Sequence, residues 1–203
     1  MTLTYIPENI TLKRLIGPEA TPWLPQLAEL RNEVFREFPL VYEGVMARGM
    51  VYLEQYARSL KSIFVVALGD KDAVLGVSVG LPLTDAPPAF QSPFIAQQVP
   101  PEDVFYFGES VLAPAARGVG IGHRFFDERE AFAQANGFGI AAFCVEDISP
   151  DSLEQPPEYR PHDDFWHERG YAMQPAMAFR FASTDQENNG DTGKNMVFWL
   201  RRL

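Results

Sequence analysis

VFYFGESVLAPAARGVGIGHRFFDEREAFAQANGFGIAAFCV, residues 104–145, carries a strand, a glycine-rich loop, a helix and a second strand in succession. Residues 104–112 are rich in aromatic and aliphatic side chains and predict a strand, which Pro114 closes. Three alternate glycines follow, Gly118, Gly120 and Gly122. Ile121, Phe125, Phe132 and Ala135 then recur on one face of a helix that ends at Asn136-Gly137. Residues 140–145 form a short apolar run suited to a buried strand parallel to the first, because the helix is a crossover that returns the chain in the same direction.

Backbone amides at the start of a helix have no acceptor within it, and the aligned peptide dipoles place partial positive charge there. Such a turn holds a phosphate without a lysine. Gly118, Gly120 and Gly122 remove side chains that would keep a pyrophosphate from the backbone, and Arg117 can add a charge-assisted contact. A diphosphate-bearing ligand is the physical reading. A dinucleotide fingerprint would want a third glycine three residues after Gly120, where His123 stands, which weakens that alternative. A Walker-type loop needs Lys and then Ser or Thr after its last glycine, and His123-Arg124 rule it out. Glycines that only allow tight packing of helix on strand are the alternative without a ligand.

Upstream, residues 10–16 alternate apolar with polar or basic side chains and stop at Gly17-Pro18, as a first strand and its turn would. Leu27, Leu30, Val34, Phe35 and Phe38 predict a helix over 23–38, ended by Pro39. Tyr52, Leu53 and Tyr56 suggest a second, shorter helix. Residues 62–68 and 74–83 flank Gly69-Asp70-Lys71-Asp72 and predict two adjacent antiparallel strands. Residues 84–103 carry five prolines and little periodicity, which suggests an ordered excursion or a flap facing substrate. Downstream, a short helix is expected at 164–169 and strands at 176–182 and 196–200, with a polar exposed loop over 183–194.

At 203 residues and 46% hydrophobic content the chain can bury a substantial core, and a single domain over 1–203 is expected. A net charge of -10 and a pI near 4.8 argue against nucleic acid or an anionic membrane as partner, since both attract basic patches. A cationic substrate is compatible. One cysteine, Cys144, allows neither an internal disulfide nor a two-cysteine zinc knuckle. With no signal-peptide pattern at the start and no window long enough to span a bilayer, a soluble cytoplasmic protein is expected.

The order strand, Pro114, two residues, R-x-x-G-x-G, amphipathic helix and short strand resembles the GNAT superfamily of N-acetyltransferases. Phe165-Trp166-His167-Glu168-Arg169-Gly170-Tyr171 is similar to that superfamily's second signature, an aromatic pair followed by glycine and an aromatic. The resemblance covers roughly residues 10–203, and the Asp/His-rich stretch before the second motif and the Phe198-Trp199 end are similar to an uncharacterised bacterial subgroup. It implies an α/β (α+β) fold: a mixed, mostly antiparallel sheet flanked by helices, its central parallel strands splayed. It also implies acetyl-CoA as acyl-donor cosubstrate, with the amides of Arg117, Gly118, Val119, Gly120, Ile121 and Gly122 around the pyrophosphate and His123 at the edge. Main-chain groups of Ser110 and Leu112 would bond the pantetheine arm and acetyl carbonyl, and the acetyl group would lie between the two parallel strands. A homodimer is compatible with the resemblance, although no interface is legible.

Direct attack of an amine on the thioester needs a base, a donor to polarise the carbonyl and an acid for the departing thiolate. Members of the superfamily often place a carboxylate in the fourth strand, which points to Glu109 as base, acting directly or through water. The competing reading is a salt-bridged strand residue facing elsewhere, and a bulge of unknown position decides between them. Trp166 stands where many members carry an acidic tyrosine, so Tyr106, Tyr159 or solvent would supply the proton. Cys144 reads as core rather than nucleophile. His162, Asp163, Asp164, His167 and Glu168 fit no zinc spacing and read as a solvated helix start, so no metal is expected. Two functions follow, an N-acetyltransferase acting on a primary amine of an unidentified small molecule or protein, and a CoA-binding module of the same fold without turnover.

Overall fold

The computed structural model describes residues 9–34, 46–147, 162–182 and 193–203. Its strands are β1 (Thr11–Ile16), β2 (Ile63–Leu68), β3 (Val74–Pro82), β4 (Val104–Leu112), β5 (Ile140–Glu146), β6 (Ala172–Ala182) and β7 (Gly193–Arg202). Its helices are α1 (Leu24–Val34), α2 (Met46–Arg58), α3 (Pro88–Ala96), α4 (Ile121–Ala135) and α5 (Asp163–Glu168). The strands form one mixed sheet in the order β1-β2-β3-β4-β5-β7-β6. The β1–β2, β2–β3, β5–β7 and β6–β7 pairs are antiparallel and the β4–β5 pair is parallel. Contacts group the chain into two compact units, Met1–Leu81 with Phe107–Asn136 and Pro82–Tyr106 with Gly137–Leu203.

In the first unit every residue of β2 is buried, so a continuous apolar run rather than an alternating pattern is what a strand covered on both faces requires. Its register runs from Ile63 opposite Gly80 to Ala67 opposite Gly76 and slips at Leu68, beside the turn. Lys71 and Asp72 adopt positive φ there, 55° and 58°, which closes the expected hairpin. α4 packs against β2, and α1 against α2. Leu27, Ala28 and Leu53 are fully buried between them and the rest of the unit. Phe35, Phe38 and Pro39, expected to end the first helix, lie outside the described residues.

In the second unit β4 pairs with β5 through Val104–Ile140, Phe105–Ala141 and Tyr106–Ala142. β6 begins earlier than its composition suggests, and its pairing with β7 is irregular between Gln174 and Phe179, the interval holding Pro175, which has no N–H for a ladder. Residues 84–103 form an ordered excursion built around a helix that the sequence does not announce. This helix, α3, packs on β6, with Phe94 fully buried and its ring 4.8 Å from that of Phe198. Pro88 is tolerated in the first turn, where its amide would be unused, and the Gln91 amide caps the entering chain by donating to Ala86 O (2.7 Å). The polar loop expected over 183–194 lies outside the described residues except for Gly193 and Lys194, which belong to β7. Among the described residues no helix is long and apolar enough to cross a membrane.

Candidate functional site

β4 leads into a short 3-10 turn at Pro114–Ala116, and the Arg117 amide donates to Pro114 O (3.2 Å). Gly118 and Gly120 take φ of +74° and +83°, a region that disfavours any residue with a Cβ, and nothing lies within 4 Å of where either Cβ would sit. The backbone turn, not crowding by the protein, therefore demands glycine at both positions, and the space beside them is open. The Arg124 amide donates to Gly120 O (3.3 Å) as the first α4 ladder bond, so the amides of Gly120, Ile121 and Gly122 lie ahead of the ladder. The first turn of α4 holds no acidic residue that would repel an anion. Ile121 is buried and anchors the helix entrance, whereas Val119 is half exposed and His123 is exposed. Arg117 Nε donates to Leu112 O (3.0 Å), so this side chain ties the loop back to the end of β4.

The strand itself departs from alternation. Phe107 meets Phe126 of α4, with ring centroids 5.7 Å apart, and Ser110 Oγ accepts from Arg129 Nη2 of the same helix (2.9 Å). Two residues three apart thus face α4, which regular pleating forbids. Between them Gly108 faces α2, where an added Cβ would lie 2.1 Å from Tyr56 Oη and 2.9 Å from Tyr52 Oη. Glu109 turns to α1, where Arg31 Nε donates to Oε1 and Oε2 at 2.9 Å each. The irregularity, one residue out of step at Gly108-Glu109, has the effect of a β-bulge: it re-aims a side chain.

Glu109 is therefore ion-paired, and the pair is shielded, with side-chain exposures of 13% for Arg31 and 12% for Glu109. Burial pushes the carboxyl up from its ordinary 4.5 to about 7, against the charge and hydrogen bond of Arg31, which pull it down. Tyr52 Oη and Tyr56 Oη share a hydrogen bond (3.0 Å), and the Arg31 guanidinium carbon lies 4.8 Å from the centroid of the Tyr52 ring. On the opposite face Arg129 is buried, with Nε donating to Phe125 O and Nη1 to Val79 O (3.2 Å each) and its guanidinium 4.3 Å and 4.9 Å from the Phe107 and Phe126 centroids.

Other sequence candidates sit elsewhere. In the second unit Tyr106 Oη lies 3.2 Å from Cys144 Sγ, and burial pushes that thiol up to about 12, which suits a core residue and not a nucleophile. Trp166 joins an aromatic cluster with Phe143 (5.0 Å) and Trp199 (5.2 Å), and His167 abuts Trp199 (4.8 Å). Tyr159 lies outside the described residues. Among the described residues no group of three or more His, Cys, Asp or Glu is arranged to hold a metal ion. Sequence reading missed Arg31, Tyr52, Tyr56 and Arg129 as site residues. Arg129 had a visible signal, a charge one turn after Phe125 on the apolar stripe of α4, and Tyr52 and Tyr56 are a helical i, i+4 pair.

The fold is shared with solved structures of GNAT-family acetyltransferases. The chain is similar to a GNAT-family acetyltransferase from Desulfovibrio desulfuricans at 14% identity, covering 96% of this chain and 99% of that one with a TM-score of 0.60. It is similar to a GNAT-superfamily phosphinothricin acetyltransferase from Sinorhizobium meliloti, solved in complex with AcCoA, at 18% identity over 96% and 88% of the two chains, TM-score 0.59. An N-acetyltransferase from Staphylococcus aureus gives 12% identity over 96% and 99%, TM-score 0.58. No protein-family profile and no curated protein sequence matches the chain.

Proposed function

We propose that this chain is an N-acetyltransferase that moves the acetyl group of acetyl-CoA to a primary amine of a small molecule or protein by direct attack. The observation that carries the reading is the open glycine loop ahead of α4, directly downstream of a strand whose irregularity turns a shielded carboxylate toward the α1–α2 side. The AcCoA complex of the Sinorhizobium meliloti neighbour supports the choice of cosubstrate. In this reading the amides of Arg117, Gly118, Val119, Gly120, Ile121 and Gly122 hold the pyrophosphate, His123 borders it, and main-chain groups of Ser110 and Leu112 bind the pantetheine arm and the acetyl carbonyl.

The neutral amine attacks the carbonyl carbon and the C–N bond forms. Glu109, directly or through a water, takes the proton that the amine sheds. The tetrahedral intermediate then collapses, the C–S bond breaks and the thiolate takes a proton from solvent. A carboxyl titrating near 7 suits the base, because a catalytic group works best when its pKa lies near the working pH. The test is thiol release from acetyl-CoA across a panel of amines, with Glu109→Gln measured alongside. Release that depends on one amine class, and drops about 100-fold or more in the variant, is expected. Acetyl-CoA binding without turnover on any amine would instead identify a binding module.

A further inference from the structure

We propose that Arg31 is a positioning residue of this site, whose guanidinium holds the Glu109 carboxylate in orientation and keeps it ionised for proton removal. The proposal rests on Glu109 being the base. A shielded carboxylate has two tendencies that hinder a base: it protonates, and it rotates. Arg31 opposes both, since one N–H contacts the two carboxylate oxygens equally at 2.9 Å and a full positive charge sits beside them.

Arg31 is itself supported from behind. It lies in the last turn of α1 with its guanidinium against the Tyr52 ring, the Tyr52 hydroxyl bonds that of Tyr56, and the buried Tyr56 ring packs edge-on against Phe64 of β2 at 6.4 Å. Gly108 is what lets the two hydroxyls reach the strand next to Glu109. A line of contacts therefore runs from the core strand through two tyrosines and Arg31 to the carboxylate. Among the described residues, the titratable and charged groups in contact with this stretch of β4 or with its ion pair include Arg31 from α1, Tyr52 and Tyr56 from α2 and, on the other face of β4, Arg129 from α4. Burial and Arg31 act on Glu109 in opposite directions, so removing the arginine leaves burial in control. Lysine keeps the charge but not the planar fork, and restores ionisation better than orientation.

The experiment is a carboxyl-carbon NMR titration of Glu109 in the full chain, its resonance assigned by its loss in Glu109→Gln, compared in the native protein, Arg31→Gln, Arg31→Lys and Tyr52→Leu. In Arg31→Gln the Glu109 midpoint is expected to rise by about one pH unit or more. Arg31→Lys should restore most of that shift, and Tyr52→Leu, which keeps the ion pair but removes its backing, should move the midpoint upward by less. The acid limb of thiol release should move with the NMR midpoint while KM for acetyl-CoA stays within about twofold, a split that loss of fold would not produce. If Arg31→Gln fails to fold, Arg31→Met, which also removes the charge, carries the same test. A Glu109 midpoint unmoved in Arg31→Gln or Arg31→Met, with Glu109→Gln inactive, would overturn the role of Arg31 alone. Full turnover by Glu109→Gln would overturn Glu109 as base and Arg31 with it.

Discussion

Gly108 has no side chain because the space is taken. A Cβ there would lie 2.1 Å from Tyr56 Oη and 2.6 Å from its Cζ, closer than any real packing distance. Tyr56 has little room to retreat, since it is buried, bonded to Tyr52 and packed on Phe64. Gly108→Ala is therefore expected to destabilise the protein by about 1–3 kcal/mol, the usual range for overpacking. Displaced tyrosines would also withdraw the backing of Arg31, so turnover should fall while acetyl-CoA affinity is kept. Urea denaturation and thiol release read the two effects, and an alanine variant with native stability and native turnover would show that the hydroxyls are free to move.

At the scale of elements, the glycine loop behaves differently, because its glycines meet no crowding. Gly120 sits at φ +83° with nothing within 4 Å, so Gly120→Ala should lose only the backbone preference, about 1–2 kcal/mol, and leave the loop open. Gly120→Glu should fold as well but abolish acetyl-CoA binding in calorimetry, since a carboxylate would stand where the proposed function places the pyrophosphate. Micromolar binding by the glutamate variant would sink the phosphate-loop assignment. The loop was legible because its chemistry is local: alternate glycines between a strand and an apolar helical stripe. β2 was legible as an apolar run for the same reason. α3 was not, because Pro88 and Pro93 mask a helix whose apolar face is defined only by contact with β6. A bulge in this strand was anticipated but its place at Gly108-Glu109 was illegible, since it shows only through contacts with the helices and the Arg31–Glu109 pair spans 78 positions of sequence.

For the whole molecule, a net charge of -10 looks unfavourable for a ligand that carries a diphosphate. At physiological ionic strength, however, screening limits the reach of exposed charges to about 8 Å. The loop is therefore governed by its own amides and by neighbours such as Arg117, not by the overall sum. Glu109 is shielded and escapes that screening, so its titration is felt by folding itself. Its carboxyl titrates near 7 in the folded chain against an ordinary 4.5, so the native state binds the proton more tightly than the unfolded chain does. A raised folded value means that this contribution to stability is complete below about pH 4.5 and is lost as pH rises through about 7. The amide introduced by Glu109→Gln cannot ionise, so the stability of the native protein relative to that variant should fall across the same window and level off above it. Thermal unfolding of both proteins at stepped pH measures the difference. A difference that grew with pH would mean that the Arg31 charge, rather than burial, governs the carboxyl.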